Sequence, residues 1–251
     1  MELYKVRDVV REHIGGADAI SEASLTWALE RGLREIEKTG NFYWMEAKKD
    51  WACVVNQKAY SVYTSTAGGL NIPNYKDTRT LFVSDQTLPN PDWDEVFGPE
   101  NIEEVQLEFA DTDTGMPVVW TVEEGNTDVS IDVWPPKPDK IYSMKLFYYQ
   151  WTTLPTDLTA ATHEVLARWP EALIYLAVEQ GLIMKTKDLM AGTFWHNLFD
   201  NPKDPKFNTE LTKIKRFHQD RQRGTRTELR PKTGGVLSRR SRWRRNREIW
   251  I

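Results

Sequence analysis

The chain has little of what marks many enzymes and membrane proteins. Cys53 is its single cysteine, which excludes an internal disulfide and points to a reducing compartment. No apolar run approaches the roughly 18 residues that a bilayer-spanning helix needs. The opening stretch, MELYKVRDVVREHIGG, is charged throughout and holds no apolar core of a secretory signal. GxxxxGK[ST], GxGxxG, GxSxG and HExxH patterns are all missing. Ala67-Gly68-Gly69 and Thr233-Gly234-Gly235 read as plain loop glycines. His13, His163, His196 and His218 are far apart and lack ligand spacing, and His163 reads as an ordinary helix-surface histidine. Cys53, in WACVV, has no basic neighbour to depress its pKa and reads as a buried structural thiol. Asp92, Asp94, Glu95, Glu100, Glu103 and Glu104 crowd one acidic loop, and nothing selects two of them as a catalytic pair. No cofactor and no metal are expected.

What the chain does have is charge asymmetry and aromatic weight. Residues 221–251 hold eleven Lys/Arg against two Glu, a net +9, while the preceding 220 residues hold 22 basic and 35 acidic groups, a net −13. An acidic body repels nucleic acid, and a basic end seeks an acidic or phosphate partner. Eleven tryptophans supply material for a core and for large protein contacts.

The pattern of periods predicts a β part between two helical parts. Leu3, Val6, Val9 and Val10 mark a helix over 3–13, ended by Gly15 and Gly16. Leu25, Ala28, Leu29, Leu33 and Ile36 mark a second over 22–38, with Gly40 placed as its C-terminal cap. Strands are expected at 44–55, 58–64, 79–84, 102–109, 117–122, 128–134 and 141–151, a spacing that suits a sandwich or barrel. Residues 85–101 are too acidic and Pro-rich for a strand and read as a surface loop. Ile131 and Val133, then Ile141, Met144, Leu146 and Tyr148, read as a strand pair around the bend Pro135-Pro136-Lys137-Pro138. Helices follow near 160–168, 170–184, 187–199 and 205–223. The helix from Pro170 is apolar nearly all round, so it belongs at the centre of the helical part. Beyond Gly224 the pattern stops, and residues 224–251 are expected to stay extended or disordered until a partner orders them.

In that last stretch Arg239, Arg240, Arg242, Arg244, Arg245 and Arg247 surround Trp243, and the chain ends Glu248-Ile249-Trp250-Ile251. Arginines with aliphatic and Trp anchors describe a segment docking on an acidic protein groove. Arginine with an interleaved aromatic also describes nucleic-acid binding, and a solvated flexible end is the plain third reading.

The order of several segments carries a resemblance. An aromatic exit, Gly40-Asn41-Phe42-Tyr43-Trp44-Met45-Glu46, follows two helices. Then come Leu70-Asn71-Ile72-Pro73-Asn74-Tyr75, Gly115-Met116-Pro117-Val118-Val119-Trp120, Val133-Trp134-Pro135-Pro136-Lys137-Pro138, Leu146-Phe147-Tyr148-Tyr149 and Trp169-Pro170-Glu171-Ala172-Leu173. Over about residues 20–185 this resembles the phage head-to-tail adaptors, the head-tail connector or tail tubular protein A-like family of short-tailed phages. Loop 85–101 is longer and more acidic than that family's pattern, and the arginine-rich end is unusually strong.

The resemblance implies a non-enzymatic virion protein assembled in the host cytoplasm. It would form a homo-oligomeric ring, a dodecamer in the virion, beneath the portal protein. The ring would extend the DNA channel without sequence-specific contact and carry the tail nozzle or tubular protein below. Its portal-docking residues would be Arg239, Arg240, Arg242, Trp243, Arg244, Arg245, Arg247, Ile249, Trp250 and Ile251. The expected fold is α+β: a helical bundle from residues 1–40 and 154–223, an inserted antiparallel β-sandwich or barrel at 41–153, and an extended basic tail at 224–251. The alternatives are a nucleic-acid-binding protein acting through the arginine-rich tail, and a glycan hydrolase with an unmarked carboxylate pair.

Overall fold

A computed structural model describes residues 1–65, 68–89, 91–125, 128–159, 162–187, 189–201 and 209–228. The chain divides into two compact units, Met1–Leu211 and Thr212–Ile251. The first is α+β, as expected.

Its helical part is built around α5 (Pro170–Thr186), which packs against α1 (Leu3–Ile14), α2 (Glu22–Lys38), α4 (Glu164–Arg168) and α6 (Leu189–Phe199). Burial all round α5 follows from its sequence: Ala172, Leu173, Ile174, Leu176, Ala177, Val178 and Gly181 are all inside. Pro170 opens it, where no N–H is needed. Local chemistry sets the ends of its neighbours. Gly15 takes φ 119°, and the N–H groups of Gly15 and Gly16 both reach Arg11 O, closing α1. Ser21 Oγ accepts from Ser24 N at 3.2 Å and starts α2. The end of α2 corrects the expectation for Gly40. Thr39, with ordinary helical backbone, donates N–H and hydroxyl to Ile36 O, so no left-handed cap is needed. Gly32 lets α2 approach α5 closely: a Cβ there would lie 3.2 Å from Ala177 N and 3.3 Å from Leu176 Cβ.

The β part is a two-sheet sandwich. Strands β1 (Glu46–Ala52), β2 (Ala59–Ser61), β3 (Tyr75–Ser84), β4 (Asp94–Val96), β5 (Val119–Glu124), β6 (Val129–Trp134) and β7 (Ser143–Gln150) form one sheet ordered β1-β7-β3-β4 and another ordered β2-β6-β5, with all strand pairs antiparallel. Tyr60, Trp120, Ile131 and Val133 of the small sheet share a core with Leu81, Val83, Met144 and Leu146 of the large one. Trp120 and Trp134 are fully buried, whereas Trp27 and Trp93 are exposed.

Four expectations change here. Residues 102–109 are not a strand. They open with α3 (Ile102–Gln106), because Asn101 caps it by accepting from Glu103 N and two acids occupy its first turn. The acidic loop contributes the three-residue β4, held on β3 by the register Leu81–Val96. β6 and β7 do not pair with each other: the Pro-rich bend, entered through a cis Trp134–Pro135 bond, carries the chain from one sheet to the other. Finally, α7 (Glu210–Glu228) runs through Gly224, since one interior glycine costs only about 1 kcal/mol among strong helix formers. Its expected start at Pro205, and residues 229–251, lie outside the described residues.

Two core changes test this architecture. Leu173→Ala should cost about 2–5 kcal/mol, and Gly32→Val about 1–3 kcal/mol through overpacking against α5. Urea unfolding monitored by tryptophan fluorescence measures both.

Candidate functional site: a buried polar joint

The chain crosses between helices and sheets at 39–46 and 150–163, and polar side chains cluster at that crossing. Glu37 lies on the apolar stripe of α2 and is fully buried. Its carboxylate accepts from Thr152 N at 3.2 Å and from Thr152 Oγ1, and Arg34 approaches to 3.5 Å. Lys76, from β3, donates to the Glu37 carbonyl and to the Gly40 carbonyl at 2.6 Å. It thereby satisfies acceptors that the end of α2 leaves free. The Lys76 and Arg34 cations both sit near the Trp151 ring, at 4.9 and 5.0 Å from its centre. Asn41 reaches Asp77 at 2.5 Å, and Tyr43 OH donates to Glu164.

His163 completes the cluster and corrects the surface reading. It is the N-cap of α4 and is only partly accessible. Nδ1 accepts from Val165 N at 3.2 Å, so Nε2 carries the proton and donates to Thr152 Oγ1 at 2.7 Å. The Thr152 proton in turn points to Glu37. In this one-way chain, His163 to Thr152 to Glu37, each donor has its acceptor, and the chain orders the joint. Burial raises the Glu37 pKa, against the lowering hydrogen bonds of Thr152 and the charges of Arg34 and Lys76. Burial likewise lowers Lys76 and His163, each partly offset by a neighbouring carboxylate.

The other sequence candidates are dispersed. His13 packs against Trp195 with the rings tilted by 56° and their centres 4.8 Å apart, and His196 Nδ1 meets Glu179 at 3.0 Å. Cys53 is buried, its sulfur accepts from Tyr142 N at 3.0 Å, and burial pushes the thiol up, as a structural thiol requires. Asp92, Asp94, Glu95, Glu100, Glu103 and Glu104 are all exposed. No group of three His, Cys, Asp or Glu able to hold a metal occurs among the described residues. Arg239, Arg240, Arg242, Trp243, Arg244, Arg245, Arg247, Ile249, Trp250 and Ile251 lie outside them. Sequence reasoning missed Glu37, Lys76 and Thr152. The available signal was an acid on the apolar stripe of a helix, four residues after Leu33.

The joint generates two measurable expectations. Lys76→Met leaves two acceptors uncapped and should cost roughly 1–3 kcal/mol in urea unfolding. The pH dependence has two parts of opposite sign. Because the folded state raises Glu37, stability should fall as pH rises from the group's ordinary 4.5 through its folded value. Because the folded state lowers His163, stability should fall as pH drops below the ordinary 6.5. Unfolding midpoints across this range should lose the first trend in Glu37→Gln and the second in His163→Asn.

A family model described as SU10 adaptor protein matches residues 2–231. No curated protein matches the chain. The matched range takes in both crossings, both sheets and α1 to α7, and stops short of the arginine-rich run that starts at Arg239. With nearly its whole length inside that model, the chain belongs to the SU10 adaptor protein family, structural adaptors of phage particles.

Proposed function

We propose that this protein is the head-to-tail adaptor of a short-tailed phage. Copies form a ring beneath the portal, extend the DNA channel and give the tail nozzle its platform. The family match over residues 2–231 carries this reading. Charge supports it: a body of net −13 before residue 221 disfavours phosphate contacts, so DNA slides past without sticking. Apolar surface supports the assembly. Leu189, Met190 and Phe194 of α6 are 69%, 82% and 61% exposed, apolar surface of the kind that a protein contact covers.

In this reading the four parts divide the work. The helices of 1–40 and 154–223 and the sandwich of 41–153 build the ring. The tail beyond α7 docks on the portal through Arg239, Arg240, Arg242, Trp243, Arg244, Arg245, Arg247, Ile249, Trp250 and Ile251, with the arginines meeting acidic groups and the Trp and Ile anchors filling pockets.

Solution mass of the protein alone and mixed with portal rings tests the proposal. A multi-copy complex should form with the portal, and deletion of 229–251, which leaves α7 whole, should abolish it while the circular dichroism of the body is unchanged. A truncated chain that still binds the portal overturns the role of the tail. A full chain that ignores the portal but binds DNA with steep salt dependence overturns the adaptor assignment in favour of nucleic-acid binding.

A further inference from the structure

The sandwich guards most of its strand edges. Residues 70–72 lie along β2, with Leu70 N donating to Ser61 O and Ile72 N to Val62 O, each at 2.8 Å. Phe97 bridges to β5, its N–H on Val118 O and its carbonyl receiving Trp120 N, each at 2.9 Å. The part of β3 that extends beyond β4 is broken by two register shifts, which blunt an edge. β1 differs. It is the outermost strand of the large sheet over seven residues, with an unbroken register to β7. Cys53 N donates to Tyr142 O, so the groups aimed at β7 alternate back through Trp51, Lys49 and Ala47. The N–H and C=O of Lys48, Asp50 and Ala52 point away, and no backbone partner meets them among the described residues, whereas the Glu46 N–H is taken by the Tyr43 carbonyl.

Charge selects what can add there. Lys48 is paired with Asp50 at 2.9 Å. Lys49 and Lys145 have no carboxylate within ion-pair distance among the described residues, and Lys145 rests instead over the Trp93 ring at 3.6 Å. Lys145, Trp93, Trp51 and Gln86 border an open cleft of about 430 Å³ beside the strand. Lysines on an edge repel indiscriminate apolar strands, whereas opposite charges across a strand pair stabilise it.

We propose that the outer edge of β1 takes up an extended acidic segment of a partner protein as an added strand, with its carboxylates on the face that carries Lys48 and Lys145 and one side chain in the cleft. This is independent of portal docking by the tail, because it uses only residues of the sandwich.

Residue-resolved amide hydrogen exchange on the full-length protein tests it. The probe is a short synthetic peptide alternating Val and Glu, with a Val/Lys peptide as its counterpart. The Val/Glu peptide should slow exchange at Lys48, Asp50 and Ala52 by about tenfold or more, less so at high salt, and the Val/Lys peptide should not. Lys48→Pro removes an N–H that faces away from β7, so the ladder persists while the protection disappears. Lys145→Glu, which leaves the backbone untouched, should weaken peptide binding roughly fivefold. Equal protection by both peptides, or none by either, overturns the proposal. Protection that appears without peptide and grows with protein concentration assigns the edge to a second copy and also overturns it.

Discussion

A carboxylate without water has to be answered by its neighbours, and Glu37 is answered from three segments at once. Thr152 comes from the exit of β7, Arg34 from its own helix, and Lys76 from β3 by way of the carbonyls at the end of α2. Removing Thr152 or Lys76 leaves a buried polar group unsatisfied, which costs more than the contact itself contributes. The helical part and the sandwich therefore meet with fixed geometry. The Trp151 ring, held by the Arg34 and Lys76 cations, fixes the direction in which the chain leaves the sheet. A protein that must present several surfaces at once to different neighbours gains from such a joint, because the angle between its parts is not left to the linkers.

The sandwich and the helices use opposite means to the same end. α5 is buried by sheer apolarity and accepts neighbours on every side. The sheets bury one face each and spend most of their edges on short crossing segments. The surfaces left over differ in kind: acidic around α3, apolar on α6, and a mixed-charge strand edge at β1. That variety suits a structural adaptor, whose neighbours are chemically unlike one another.

Much of this was legible in the sequence. α5 was legible because Leu173, Leu176 and Ala177 are joined by apolar residues on every other side, a pattern only a central helix tolerates. α2 was legible from a single clean stripe. What failed was non-local. In residues 102–109 the apolar residues Val105, Leu107 and Phe109 alternate as in a strand, yet Asn101 and the acids after it decide for a helix. β4 is three residues in an acidic loop, and only its partner β3, already in place, makes it a strand. Which sheet β6 and β7 join depends on pairings far along the chain. The joint was hidden for the same reason, since Thr152 is 115 residues from Glu37. The arginine-rich end was conspicuous as composition, but composition alone names no contact.

The pairing pattern also has a consequence for how the chain comes into being. β1 waits for β7, which begins at Ser143, and α2 waits for α5, which ends at Thr186. At ribosomal speeds of roughly 5–20 residues per second, several seconds or more separate the synthesis of each early element from that of its mate. Throughout that interval the apolar stripe of α2, with Glu37 on it, has no cover. A nascent chain that has not reached Thr186 lacks the mate of α2, so folding of the helical part is effectively all-or-none and waits for α5. The permanence of the finished joint and the long exposure of the unfinished one come from the same topology.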